Sequence, residues 1–570
     1  MLDHVIKGGS VVDGTGGPAR AADIGIRGDR IVAVGEVDET AKQTIDASGL
    51  VVAPGFIDPH THYDAQLYWD GYGTPSNAHG VTSVIGGNCG FTLAPLKSRD
   101  ADYTRRMMAR VEGMPLKALE SGVDWKWETF AEYLDGLEGR IGLNAGFMIG
   151  HCAIRRYVMG HEAVERAADA DEVDAMVSLL HQSIEAGGLG LSTTRSSTHS
   201  DGDGNPVPSR VASESELLAL CRAVGEHDGT SLEAIVEGTQ AGFSDDEIDL
   251  LVMMSATAGR PVNWNVLTVM AAERERIQHQ LVPSARAREA GARVVALTMP
   301  VQAEMNLSFG TFCFLWMIPG LDEVLPLPAA EKARLLSDPE VRARVLTTAR
   351  QSDRGRRLDF GNFIIGDTVA PQNKALEGRL VADIARERGV DTFTCLVDIV
   401  IPDEFKTVLW PLPGANSDAD WALRREVWEH PDVLLGGSDA GAHLDRMLGT
   451  AYTTRFLADT LRGRKLLSLE RAVQLMTEAP ARLFGLRGRG HLEPGYFADV
   501  VVFDPATVDS GPAHRVYDLP GDSMRLTATS SGVARVLVNG TETVIDGTST
   551  GALPGTVLRS GTDTDTVATR

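Results

Sequence analysis

Val51-Val52-Ala53-Pro54-Gly55-Phe56-Ile57-Asp58-Pro59-His60-Thr61-His62 is the stretch on which the fold turns. Its first seven residues are mostly apolar and read as a buried strand that breaks into a polar cluster. Alternation along an extended chain sends His60 and His62 to the same side. Two imidazoles then converge on one point, as a divalent metal requires. Two surface histidines one residue apart would look the same in isolation, so the surrounding pattern has to decide.

That pattern repeats outward. Apolar runs at residues 51–57, 81–85, 142–149, 189–192, 230–235, 261–266, 293–298 and 433–437 alternate with amphipathic helices, the signature of parallel βα units. One such helix follows Ser213, where Ser213 and Glu216 have capping-box spacing ahead of Leu217, Leu218 and Cys221. Eight units predict an α/β fold closed as a (β/α)8 barrel. Its active site lies at the C-terminal ends of the strands, so the residues just after each run are the ones to read for chemistry. The long gap between the seventh and eighth runs predicts an inserted lobe at residues 301–432.

Both chain ends differ from this middle. Residues 1–53 read as short antiparallel strands with turns such as Gly28-Asp29. Residues 487–557 return to the pattern in Asp499-Val500-Val501-Val502-Phe503, in Val533–Val538 and beyond the Asn539-Gly540 turn. The two ends are expected to pair as one small β-domain beside a barrel at residues 54–486. The Thr-, Ser- and Asp-rich tail at residues 558–570 is expected to fray.

A chain with 54 basic and 78 acidic residues, and no basic run among them, makes nucleic acid and anionic membrane poor partners. No basic segment precedes an apolar one at the start, and the most apolar stretch, residues 312–319, is too short to span a bilayer. Five widely spaced cysteines without a CxxC pair read as reduced thiols. These features predict a cytoplasmic protein acting on a small molecule, and they leave a homo-oligomer open.

Asp439 directly follows the eighth run in Gly436-Gly437-Ser438-Asp439-Ala440-Gly441-Ala442-His443. There it would face the metal, orient the attacking water, take its proton and pass that proton to the leaving amine. A loop aspartate capping a helix is the other reading. Cys89, in Gly86-Gly87-Asn88-Cys89-Gly90 after the second run, is either a small buried residue in a Gly-rich turn or a thiolate ligand.

Pro54 to His62, quoted above, resembles the signature of the amidohydrolase superfamily. Leu492-Glu493-Pro494-Gly495-Tyr496-Phe497-Ala498-Asp499-Val500-Val501 is similar to that superfamily's return into its flanking β-sandwich, so the likeness covers nearly the whole chain. Within the superfamily the chain looks like the N-acyl-D-amino-acid deacylases. Three segments carry this: the one around Cys89, Gly150-His151-Cys152-Ala153-Ile154-Arg155, and Gly188-Leu189-Gly190-Leu191-Ser192-Thr193. The resemblance implies zinc-dependent hydrolysis of an amide C–N bond in a small N-acylated compound, with Cys89 offered to zinc where many relatives use a modified lysine. The chain departs from that family at the fifth and sixth runs. Histidines are implied there, whereas this chain has Glu233 and then Asn263 and Asn265. Amides are poor zinc ligands and better hydrogen-bonders to substrate, while Glu233 stays open as an oxygen ligand. The expectation is a single zinc held by His60, His62, Asp439 and Cys89.

For substrate contacts, Arg155, Arg195 and Arg210 lie near strand ends or in the loop at residues 196–209, where each suits a carboxylate or is simply solvated. His151 reads equally as a group polarising the scissile carbonyl and as a structural hydrogen-bonder. His443, just past Asp439, joins these candidates. His199, Asp201 and Asp203 read as a lid, a cation site or a plain turn. The same metal chemistry would serve a cyclic amide, carbamate, lactone or ester. A non-catalytic scaffold on a degenerate barrel is the rival class, and retention of His60, His62 and Asp439 together argues against it. Gly14-Thr15-Gly16-Gly17 lacks nucleotide-loop spacing, and no GxSxG elbow occurs.

Overall fold

The computed structural model describes residues 1–311 and 313–569. From the N-terminus, β1 (Leu2–Val11), β2 (Arg20–Arg27), β3 (Arg30–Gly35), β4 (Ala41–Asp46) and β5 (Val51–Pro54) belong to one sheet. β1–β2 and β2–β3 pair antiparallel as expected, but β4 and β5 both lie parallel to β1. β1 serves both because β4 pairs with Leu2–Lys7 and β5 with Ser10 and Val11 further along the strand.

The barrel strands follow: β6 (Phe56–Asp58), β7 (Val81–Gly86), β8 (Asn144–Phe147), β9 (Ile149–Gly150), β10 (Gly190–Thr194), β11 (Ser231–Ile235), β12 (Val262–Trp264), β13 (Val294–Thr298) and β14 (Val433–Leu435). β8 and β9 are one run interrupted at Met148, and every neighbouring pair from β6 to β14 is parallel. The extensions of the first and last strands meet at a parallel bridge between Thr61 and Ala440. There the His62 N–H donates to Ala440 O at 2.6 Å, which closes the (β/α)8 ring. Ile57 of β6, Ile85 of β7, Met148 between β8 and β9, Leu189 just before β10, Val295 and Leu297 of β13 and Leu434 of β14 share one buried cluster.

The opening stretch thus divides at Gly55 between two sheets rather than forming one strand. Gly55 N–H donates to Asp499 O at 2.9 Å, and a Cβ there would lie 2.1 Å from Thr82 Oγ1, so only glycine lets the chain pass from one layer to the other.

The chain returns through β15 (Val500–Phe503), β16 (Val533–Val538), β17 (Thr541–Ile545) and β18 (Thr548–Ser549), completing a nine-stranded sheet in which β15 pairs antiparallel with β5. Ile6, Ile24, Ile26, Val52, Val500 and Val502 form its core, the inward half of each alternating strand. The tail does not fray. β19 (Val557–Leu558) pairs parallel with β8, Thr564 Oγ1 donates to Gly229 O at 2.7 Å, and Thr569 Oγ1 donates to Gly291 O at 2.9 Å. Its polar composition supplies hydroxyl donors to backbone carbonyls at barrel loops, so polarity here is not disorder. Arg570 lies outside the described residues.

Residues 304–416 form a compact unit of their own around Leu307, Phe309, Phe363, Phe393 and Leu396. The expected lobe extended further, to residue 432; the helix Asp418–Trp428 instead belongs with the barrel unit. Of the apolar stretch at 312–319, Phe312 is outside the described residues and Phe314–Met317 is a single short turn. Among the described residues no helix is long and apolar enough to cross a membrane.

Candidate metal centre

His60 and His62 leave β6 fully buried. Cys89, in the loop after β7, joins them: its Sγ is 3.4 Å from His60 Nε2 and 3.7 Å from His62 Nε2, and the three ligand atoms all lie within 4.8 Å of one another. Cys89 holds a left-handed backbone, φ 57°, costly for a non-glycine residue and persisting only where surroundings enforce it. Glu233 of β11 supplies that enforcement, its Oε2 accepting the Cys89 N–H at 2.8 Å. Ser192 of β10 braces the same loop, accepting the Gly90 N–H at 3.0 Å.

Asp439 comes from the loop after β14, again with positive φ, 52°. Its Oδ1 is 3.3 Å from His60 Nε2 and 4.0 Å from His62 Nε2, and it accepts from Asn265 Nδ2 at 3.2 Å. Behind it, Ser438 Oγ donates to buried Asp58 in β6, tying the first and last strands together under the site.

A second acid was not foreseen. Glu112, the residue after α1 (Ala101–Val111), places Oε2 3.5 Å from His62 Nε2. It is 4% exposed, and its backbone is pinned by the His443 N–H, which donates to Glu112 O at 2.5 Å. Gly113 permits that approach, since a Cβ there would stand 2.9 Å from His443 Nδ1. The one local signal in the sequence is a carboxylate next to the glycine that stops a helix, where the helix dipole favours a cation.

The electrostatics of the group are one-sided. Burial holds the His60 imidazole down at about 3, and burial with neighbouring imidazoles holds His62 well below its ordinary value. Both rings are therefore neutral with lone pairs available. Burial pushes Cys89 well up, helped by the charges of Glu233, Glu112, Asp439 and Asp64. It also raises Glu112 and Glu233 well above the usual carboxylate range. Asp439 rises to about 7 through burial and the charge of Asp58. Among the described residues no lysine or arginine pairs with any of these acids. His60 Nδ1, His62 Nδ1, Glu233 Oε1 and Asn265 Oδ1 are buried without a partner. Imidazole nitrogens, a thiol and carboxylate oxygens at these separations fit a zinc ion, and a divalent cation is the charge the acids lack.

The other sequence candidates are placed differently. Asn263 Nδ2 in β12 donates to Leu232 O at 3.1 Å, and Asn265 directs its amide N–H to Asp439, so the two amides differ in task. His151 and Arg155, on α2 (His151–Met159), are engaged in hydrogen bonds within the fold. His151 Nδ1 is 2.9 Å from Thr193 Oγ1, and its Nε2 is 2.8 Å from Glu216 Oε1. Arg155, fully buried, bonds Glu216 through Nη1 and the Ala163 and Arg166 carbonyls through Nη2. Glu216, on α3 (Glu214–Gly225), faces this cluster. The expected capping box is thus only half formed: Ser213 accepts the Glu216 N–H, but the carboxylate turns inward. Arg195 is half-buried, with Nη1 3.3 Å from Ala212 O, and Arg210 donates to His199 O at 2.9 Å. Asp201 Oδ1 accepts the N–H groups of Asp203 and Asn205, and Asp203 pairs with Arg106 at 2.5 Å, which makes that segment a tied turn. His443 is half-buried beside Glu112, and burial draws its imidazole down to about 4.

A barrel with an HxH pair after its first strand, a thiol after its second and an acid after its last defines a metallohydrolase-type site. Residues 43–548 match the amidohydrolase family. A D-aminoacylase of Alcaligenes xylosoxydans xylosoxydans is 32% identical over 566 residues, covering 98% of this chain and 97% of its own. The chain belongs to the amidohydrolase family. Among solved structures, an N-acyl-D-glutamate deacylase from Bordetella bronchiseptica, complexed with zinc and a phosphonate mimic of the tetrahedral intermediate, superposes with a TM-score of 0.67. Its identity is 27%, over 98% of this chain and 100% of that one. A D-aminoacylase described as having a binuclear metal centre, with one-metal activation and second-metal attenuation, gives 0.65 at 28% identity, over 98% and 100% of the two chains.

Proposed function

We propose that this chain is a zinc-dependent hydrolase that removes the acyl group from an N-acylated D-amino acid. The observation that carries the reading is the convergence of His60 Nε2, His62 Nε2 and Cys89 Sγ within 4.8 Å, with Asp439 Oδ1 3.3 Å from His60 Nε2. The deacylase relatives supply the substrate class. His60, His62 and Cys89 would hold one zinc ion. When bound there, it supplies Lewis acidity to the acyl carbonyl and makes water acidic enough to attack near neutral pH.

The remaining work falls to side chains. Asn265 Nδ2 holds Asp439 by Oδ1, leaving Oδ2 without a partner among the described residues, on a side chain 25% exposed. Oδ2 is the atom that takes the proton from the attacking water and returns it to the departing amine nitrogen. Glu233 keeps Cys89 in its strained conformation. Asn263 Oδ1, buried without a partner, is a hydrogen-bond acceptor for the substrate amide. Arg195, half-buried just after β10, is the candidate cation for the substrate carboxylate. The five unpaired cysteines suit a reducing compartment, and we place the protein in the cytoplasm.

The test is a screen of paired D and L N-acetyl amino acids, following amine release with and without a zinc chelator. Chelator-sensitive release from D-isomers is expected. Turnover of an ester, lactone or cyclic amide with no amine release from any acyl amino acid would overturn the deacylase reading.

A further inference from the structure

Glu112 stands where a carboxylate is least at home. It is buried, it caps the C-terminal end of α1, and the charges of the acids Asp439, Asp64 and Glu233 add to the effect of burial in raising it. Among the described residues the His62 imidazole is the sole hydrogen-bonding or ionic neighbour of its side chain. The position is nevertheless built: the His443 N–H locks its carbonyl, and Gly113 makes room for that lock. A carboxylate held there by design, rather than left there by chance, needs a cation.

The separations say which one. With zinc–nitrogen and zinc–oxygen bonds of about 2.0–2.2 Å, two ligands of a tetrahedral ion stand roughly 3.3–3.5 Å apart. His60 Nε2 to Asp439 Oδ1 is 3.3 Å, His60 Nε2 to Cys89 Sγ is 3.4 Å, and His62 Nε2 to Glu112 Oε2 is 3.5 Å. Glu112 therefore meets His62 at a ligand-to-ligand distance, beyond a normal hydrogen bond.

We infer that Glu112 is a metal-site residue, its carboxylate supplying an oxygen donor beside His62 in a chain whose fifth and sixth barrel strands offer Glu233, Asn263 and Asn265 rather than histidines. The inference rests on the zinc reading above. It makes the site one of mixed nitrogen, sulfur and oxygen donors fed from a helix end as well as from strand ends.

The test is zinc affinity by chelator competition on the full-length protein, with melting curves of the metal-free and zinc-loaded forms, for the parent, Glu112→Gln and Glu112→Asp. Glu112→Gln should weaken zinc binding at least about tenfold, the order found when one supporting group of a metal site is lost. It should also raise the melting temperature of the metal-free form, because the fold no longer has to bury a carboxyl group that lacks a cation. Those opposite movements are not expected of a residue that only packs. Glu112→Asp, which keeps the charge but withdraws it by one methylene, should fall between parent and Glu112→Gln, and it decides the matter if Glu112→Gln does not fold. Parent-like affinity in either variant would overturn the inference, and a raised KM with unchanged zinc affinity would reassign Glu112 to the substrate. A parent that binds no zinc would sink the broader reading instead.

Discussion

Two buried clusters of histidine and carboxylate lie in this barrel, and they are opposites. After β9, His151, Glu216 and Arg155 balance their charges: both imidazole nitrogens have partners and the carboxylate meets a guanidinium, although Arg155 Nε is buried without a partner. After β6, β7 and β14, His60, His62, Cys89, Asp439 and Glu112 gather acids against neutral rings, with buried atoms left unpaired and no cation from the protein. A charge-balanced cluster contributes to the fold, whereas one that is short of positive charge is built for something outside it. By sequence position the two look alike, since both follow barrel strands. The difference lies in whether the charges are balanced.

Substitutions should divide along that line. Asp439→Asn should lower turnover by about 10²–10⁴-fold while the zinc stays bound, since an amide cannot take the water's proton. Steady-state rates beside metal content check it, and turnover within a few-fold of the parent would erase the contrast in its catalytic half. Glu216→Gln should do the reverse. It leaves Arg155 buried beside a neutral amide, costing about 3–5 kcal/mol of stability by denaturant melting, with zinc content per folded chain unchanged. Loss of zinc without loss of stability would mean the two clusters had been assigned the wrong way round. Gly55→Ala tests the hinge between sheets. A clash with Thr82 there should cost about 1–3 kcal/mol through overpacking, with little effect on zinc affinity. Thr569→Val removes only the Thr569 hydroxyl's hydrogen bond to Gly291 O and should have the smallest effect, about 1 kcal/mol, read as a small fall in melting midpoint.

What was legible beforehand was local. Each barrel strand announced itself by an apolar run, and β16 matches its run at both ends. His60, His62, Cys89 and Asp439 could be picked out because each directly follows such a run. What escaped depends on partners distant in the chain. Arg155 and His151 left two readings open in the sequence, because their partner Glu216 lies more than sixty residues on. Gly55 hides a change of sheet inside one apolar stretch, because the residue that forbids a side chain there is Thr82. The tail's hydroxyls look disordered until Gly229 and Gly291 offer carbonyls. Glu112 had no periodic pattern around it, and only its distance to His62 gives it meaning.

The central claim is that the unbalanced cluster is a zinc site with Cys89 as a ligand, and the most direct test is elemental analysis of the parent and Cys89→Ala, both purified without added metal. About one zinc per parent chain is expected, falling to a small fraction of that in folded Cys89→Ala. Full zinc retained by Cys89→Ala, or two equivalents in the parent, would contradict it.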